Sequence, residues 1–206
     1  DPLVEGRVFV SGYYTQGETR AALYVSTDRG ATWSVSIPDP DTVGYGYGIG
    51  TDPNDTGTVY LGSLGGQVYR TTDAGATWAR VSNGMPAGVA TLLLSVNRAE
   101  SRVLLAATSA GIYRSTDAGA NWSAVGAVDY AQDVVFGADP DVAYALGRTD
   151  SVRLHVSTDR GATWNLAVPG FCATKTARLV PDPATGTDAW MNSSYGIHRT
   201  TDLGAH

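Results

Sequence analysis

Short runs in which apolar and polar side chains alternate return along the chain at a steady interval, and each is followed by the same polar, glycine-containing segment. Leu23-Tyr24-Val25, Gln67-Val68-Tyr69-Arg70, Gly111-Ile112-Tyr113-Arg114 and Gly196-Ile197-His198-Arg199 have the period of two that gives a strand one buried face. The polar segment is Ser/Thr-Thr-Asp-x-Gly-Ala-Thr/Asn-Trp: Ser26 to Trp33, Thr71 to Trp78, Ser115 to Trp122, Ser157 to Trp164, and a fifth copy from Thr200 to Ala205. Its aspartates, Asp28, Asp73, Asp117, Asp159 and Asp202, stand 45, 44, 42 and 43 residues apart. Asp and Gly between two alternating runs mark a hairpin turn, with glycine taking a positive φ and the short polar side chains bonding local amides. A period in the forties suits a four-stranded propeller blade, strands a to d, with the box between c and d.

A second landmark fixes the register. Asp52-Pro53, Asp139-Pro140 and Asp182-Pro183 precede their box aspartates by 21, 20 and 20 residues, Asn97 by 20 and Asp1-Pro2 by 27. These positions mark the a–b turn, followed by strand b at Arg7–Val10, Thr58–Leu61, Val103–Ala106, Val142–Ala145 and Asp188–Met191. The repeats run approximately over 1–37, 38–82, 83–126, 127–168 and 169–206, as one propeller domain or propeller segment. The extra residues of the first repeat fall between strands b and c, which makes Gly12 to Arg20 a long loop by expectation. The register leaves the first repeat without strand a and the last without strand d: eighteen strands, three full blades and two partial ones. The chain therefore reads as a segment of a larger propeller rather than a five-bladed ring.

Composition agrees with an all-β reading. Twenty-five glycines and nine prolines are too many for a helical bundle, and 43% hydrophobic with 17% charged residues can build a core. The net charge is −6 and no Lys/Arg cluster occurs, so the basic footprint of a nucleic-acid binder is missing. The longest apolar run, Val103 to Ala107, is far short of the roughly 20 residues of a spanning helix. Cys172 is the one cysteine, and His155, His198 and His206 lack metal-ligand spacing, so no metal and no cofactor is expected.

The pattern Ser/Thr-x-Asp-x-Gly-x-Thr/Asn-Trp is identified as the Asp-box, or bacterial neuraminidase repeat, and the whole chain resembles the β-propellers that carry it. That superfamily includes sialidases, family-74 glycoside hydrolases that cut xyloglucan, sortilin-type receptors and a photosystem assembly factor. The run from Leu154 to Gly161, then Arg178-Leu179-Val180-Pro181, Asp188-Ala189-Trp190 and Gly196 to Asp202, is most similar to the xyloglucanase group. The Arg-Ile-Pro motif of sialidases is absent. The resemblance implies one catalytic aspartate in each of two tandem propellers. Neither local motif is matched here, so any catalytic pair is expected to be incomplete in this chain.

Five equivalent box aspartates argue for turn capping rather than catalysis, and the tryptophans Trp33, Trp78, Trp122 and Trp164 suit packing between blades. Structural box positions are thus Asp28, Gly30, Trp33, Asp73, Gly75, Trp78, Asp117, Gly119, Trp122, Asp159, Gly161, Trp164, Asp202 and Gly204. Strands alternate direction, so the b–c and d–a connections share one face, the one the superfamily uses for ligands. Glycoside hydrolysis takes two carboxylates, and that face offers Asp41, Asp129 and Asp133, with Asp39 and Glu18 as further carboxylates. Tyr13, Tyr14, Tyr45, Tyr47, Tyr130 and Tyr195 also fall there; phenol rings beside glycine can stack on sugar faces. On the same face Arg148 and Asp150 could pair with each other, and Lys175 with Arg178 could meet an acidic ligand. The reading is a secreted, extracellular propeller segment binding a β-glucan or xyloglucan-type polysaccharide, or hydrolysing it as a glycoside hydrolase. The alternative is a non-catalytic scaffold for protein interaction. The expected partners are a glycan and the rest of a larger propeller, with no nucleic acid and no membrane span.

Overall fold

The computed structural model describes residues 1–41, 44–126, 128–148, 151–167, 178–193 and 196–203. Tyr195, Gly204, Asp150, Cys172 and Lys175 lie outside the described residues. The described residues hold eighteen strands in five antiparallel sheets. The first blade is β1 (Val8–Gln16), β2 (Glu18–Ser26) and β3 (Ser34–Ser36). The next three have four strands each: β4 (Gly46–Thr51), β5 (Val59–Ser63), β6 (Val68–Thr71) and β7 (Ala79–Arg80); β8 (Thr91–Val96), β9 (Leu104–Thr108), β10 (Gly111–Ser115) and β11 (Ser123–Ala124); and β12 (Ala131–Phe136), β13 (Ala143–Arg148), β14 (Val152–Ser157) and β15 (Asn165–Leu166). The fifth is β16 (Arg178–Pro181), β17 (Ala189–Ser193) and β18 (Gly196–Thr200). Three sheets of four and two of three match the partial first and last blades expected from the register.

The inner strands β4, β8, β12 and β16 lie one against the next. The side chains between blades alternate along strand b. Tyr60, Leu105 and Tyr144 point to the following blade, while Leu104, Ala106, Ala143 and Ala145 point to the preceding one. The three neighbouring pairs among blades 2 to 5 share a core of this kind, and Tyr60, Leu104, Leu105 and Tyr144 are fully buried.

The box is a hydrogen-bonded turn in each blade. In blade 2, Asp73 accepts from the Thr77 amide (2.8 Å), the Thr77 hydroxyl (2.6 Å) and the Thr71 hydroxyl (2.7 Å), while Thr71 Oγ1 accepts from the Asp73 and Gly75 amides. The same set recurs around Asp28, Asp117 and Asp159, with Asn121 replacing threonine in blade 3. Glycine is not alone in taking a positive φ. The variable residue before it is also left-handed, at 59° for Arg29, 57° for Ala74, 61° for Ala118, 59° for Arg160 and 59° for Leu203. Such residues cost roughly 1–2 kcal/mol each, and a tertiary bond holds them. The amides of Arg29, Ala74, Ala118 and Arg160 donate to Gly6, Gly57, Arg102 and Asp141, so each box is tied to the stretch just before strand b of its own blade.

The Asp-Pro landmark has its own mechanism. Asp1, Asp52, Asn97, Asp139 and Asp182 each accept from the amide two residues on, at 2.8 to 3.0 Å, closing an Asx turn between strands a and b.

The long loop expected at Gly12 to Arg20 is not a loop. The first blade's b and c strands run on into it, pairing Tyr13 with Ala21, Tyr14 with Arg20 and Thr15 with Thr19, and the chain reverses at Gly17, φ 94°. Tyrosine and threonine favour the extended backbone, and a paired ladder satisfies amides that a nine-residue loop would leave to water.

Candidate functional site

The tip of that hairpin stands beside the start of β4. Tyr13 and Tyr45 meet edge to face, ring centroids 5.2 Å apart and planes at 76°, and both are exposed, by 55% and 44%. Tyr47 is 53% exposed, and its carbonyl accepts from the Ser11 hydroxyl at 2.9 Å. Glycine allows the approach: a Cβ on Gly46 would lie 2.5 Å from the Gly12 carbonyl oxygen. The pairing of β4 with β5 slips between Gly46 and Ile49, a bulge that spans Tyr47 and bends the strand locally. Tyr14 is half-buried, in ladder with Arg20. Tyr130, also half-buried, accepts the Arg148 amide at 2.8 Å in blade 4, so these two are not part of the exposed cluster.

The candidate carboxylates differ in setting. Asp41 is exposed, its amide donating to Asp39, and Asp129 is exposed ahead of β12. Asp133 is 2% exposed, and Oδ2 accepts from the Leu179 amide at 2.9 Å, joining β12 to β16. No hydrogen bond links Asp41, Asp129 and Asp133 to one another, and no group of three metal-binding side chains occurs among the described residues. Burial pushes the Asp133 carboxyl up, against the Leu179 amide and the Arg178 charge. Asp133→Asn keeps an accepting oxygen without the buried charge, so stability at neutral pH should hold or rise. Asp133→Ala leaves the Leu179 amide unmatched and should cost about 1–3 kcal/mol. Thermal unfolding of both variants checks this; equal losses would show that the acceptor is not what matters.

The box tryptophans divide. Trp122 (3% exposed) and Trp164 (7%) pack onto the preceding blade. The indole nitrogens of Trp78 and Trp122 donate at 2.8 Å to Ser36 and to the Val81 carbonyl of the blade before. Trp33 departs from the inter-blade expectation: it is 44% exposed and bonds only its own box at Gly30, since no described blade lies on that side.

The box motif and the antiparallel sheets define the class, an Asp-box β-propeller chain. The BNR/Asp-box repeat family model matches residues 24–35. Within the class the chain is similar to xyloglucanases of family 74. It is 31% identical over 181 residues to a xyloglucanase of a Paenibacillus species, covering 82% of this chain and 16% of that protein. It is 37% identical over 94 residues to xyloglucanase Xgh74A of Acetivibrio thermocellus, covering 40% of this chain and 11% of that protein. Among solved structures, the GH74 enzyme of Niastella koreensis superposes with a TM-score of 0.82 at 17% identity, over 99% of this chain and 36% of the other. The chain thus spans about a sixth or less of the length of these curated relatives.

Proposed function

We propose that this chain is a polysaccharide-binding propeller segment for a xyloglucan-type β-glucan, working outside the cell, where such a polymer is met. The exposed cluster of Tyr13, Tyr45 and Tyr47 carries this reading. It offers apolar ring faces beside phenol hydroxyls, which suits a sugar with an apolar face and equatorial hydroxyls. The relatives named xyloglucanase supply the polymer class. Asp133, buried and bonded to the Leu179 amide, supports binding rather than hydrolysis as the role of this chain.

The larger propeller has support in the outer blades. Val8 and Val10, 37% and 45% exposed, stand in register with Val59 and Leu61, which are buried. Trp190 and Ile197, 39% and 76% exposed, stand in register with the buried Tyr144 and Ile112. Positions that the middle blades bury are apolar here too, as they would be with further blades packed on both sides.

Affinity electrophoresis in gels with and without xyloglucan tests the binding. The chain should be retarded, and Tyr45→Ala should weaken retention about fivefold to tenfold, the loss of a stacking contact worth about 1–1.4 kcal/mol. Unchanged retention in Tyr45→Ala would overturn the role of the cluster. No retention of the parent chain would favour the protein-interaction scaffold, and release of reducing sugar would overturn the assignment of binding alone.

A further inference from the structure

Strand c carries an aromatic residue two positions before the box in every blade: Tyr24, Tyr69, Tyr113, His155 and His198. In blades 1 and 2 the phenol hydroxyl extends to a partner, Tyr24 to the Tyr13 carbonyl (2.8 Å) and Tyr69 to Asp39 (3.2 Å). His155 is shorter than tyrosine, and a cavity of about 250 Å³ opens at its ring, lined by Val128, Asp129, Gly147, Arg148 and Arg153. The residue is 8% exposed, and Nδ1 is buried without a hydrogen-bond partner. Buried polar atoms are nearly always satisfied, so the ring, which otherwise meets the Arg153 backbone, leaves hydrogen-bonding capacity at the cavity wall for a ligand.

The walls say which ligand. Arg153 lies on the same face of β14 as His155, with Gly147 opposite it in the ladder. A Cβ on Gly147 would sit 2.7 Å from Val128 and 2.9 Å from the His155 ring, so glycine keeps the space open. Five of the thirteen arginines have carboxylate partners among the described residues: Arg7 with Asp1, Arg20 with Glu18, Arg29 with Glu5, Arg160 with Asp141 and Glu100, Arg199 with Asp188. Among the described residues Arg148 and Arg153 have none, and Asp129 at the rim pairs with neither. Guanidinium groups recognise carboxylates through two parallel hydrogen bonds, and Asp129 and His155 can take hydroxyls. The volume lies below the roughly 300–1,000 Å³ of sites for drug-sized ligands, which suits one sugar ring. Arg148 borders a b–c connection and Asp129 a d–a connection, the same end of the blades as Tyr13 and Tyr45.

We infer that this cavity is a second carbohydrate site, taking a single carboxylate-bearing sugar, a uronic acid unit, with its carboxylate at Arg148 and Arg153 and its hydroxyls at His155 and Asp129. The site is separate from the tyrosine cluster and does not rest on xyloglucan binding.

Titration of the full chain with D-glucuronate, followed through the His155 ring resonances by NMR, tests it. Saturable shifts are expected, with D-glucose at least tenfold weaker. Arg153→Ala should lose at least tenfold in affinity. His155→Tyr, which restores the residue found in blades 1 to 3, should fill the cavity and abolish binding while the chain stays folded. Equal binding of glucose, equal shifts with sulfate, no shift at all, or binding that survives His155→Tyr would each overturn the inference. Tyr45→Ala should leave glucuronate binding intact, so failure here is distinguishable from failure of the xyloglucan reading.

Discussion

Trp122→Ala is expected to destabilise the chain by about 3–5 kcal/mol, the range for truncating a buried large aromatic. The indole fills the seam between blades 2 and 3, against Tyr60, Val68, Leu94, Val96, Leu104 and Ala106. Its nitrogen donates to the Val81 carbonyl at 2.8 Å, so truncation leaves a cavity and a partly buried carbonyl without its donor. Trp33→Ala, the same substitution at the same box position, should cost less than about 1 kcal/mol, because that indole is 44% exposed and borders no described blade. Urea titrations at constant m-value read both. Equal midpoints for the two variants would sink the view that the box tryptophan acts by filling the seam.

Acid should unfold the chain through the same boxes. Hydrogen bonds from the Thr32 and Thr77 hydroxyls and amides, with those from Ser26 and Thr71, hold the carboxyls of Asp28 and Asp73 at about 2, below the ordinary 3.8. Asp117 is lowered by Asn121 in the same way. For Asp159, burial pulls upward but is outweighed by the bonds from Thr163 and Ser157. A carboxyl lowered on folding contributes stability that is complete above its unfolded value, near pH 4, and is lost as pH falls toward 2. Asp133 has the opposite sign: its raised value means that taking up a proton favours the folded chain. Four boxes against one buried carboxyl give a net loss in that window. Circular dichroism against pH should show unfolding between about pH 4 and 2, and Asp73→Asn should be less stable at pH 7 with a shallower dependence. An Asp73→Asn curve that overlays the parent's would remove the box carboxylates as its cause.

Much of the fold was legible because its signals are local. An Asp or Asn that bonds the amide two residues on, and an Asp held by a hydroxyl four residues on, are complete within a few positions, so five copies announce themselves. Alternation placed the start of every strand b to within a residue, and strand c to within a residue in blades 2, 3 and 5. The extended hairpin was missed because the longer spacing from Asp1 to Asp28 says only that residues were added. Whether they pair depends on a register between Tyr13–Tyr14 and Arg20–Ala21 that no short window shows. The left-handed residue before the box glycine was missed for a related reason. Arg29, Ala74, Ala118, Arg160 and Leu203 share no chemistry, and a bond from another part of the blade holds the four whose amide partner is seen.

The site follows the same division. Aromatic residues near the b–c and d–a connections were visible in sequence, but that Tyr13 meets Tyr45 while Tyr14 pairs in a ladder and the Tyr130 carbonyl holds the Arg148 amide was not. Asp133, a candidate by position, is seen to bridge β12 to β16. His155 read as an ordinary strand residue until its neighbours across the ladder were known. The sequence by itself determined the repeat, its turns, the number of strands and the face that its connections share, because each is set by hydrogen bonds or periodicities spanning a few residues. Only the tertiary structure decided which tyrosines converge, which carboxylate is buried and where a cavity opens. Those depend on how closely strands and blades approach, at residues such as Gly46 and Gly147 that carry no signal until another strand lies against them.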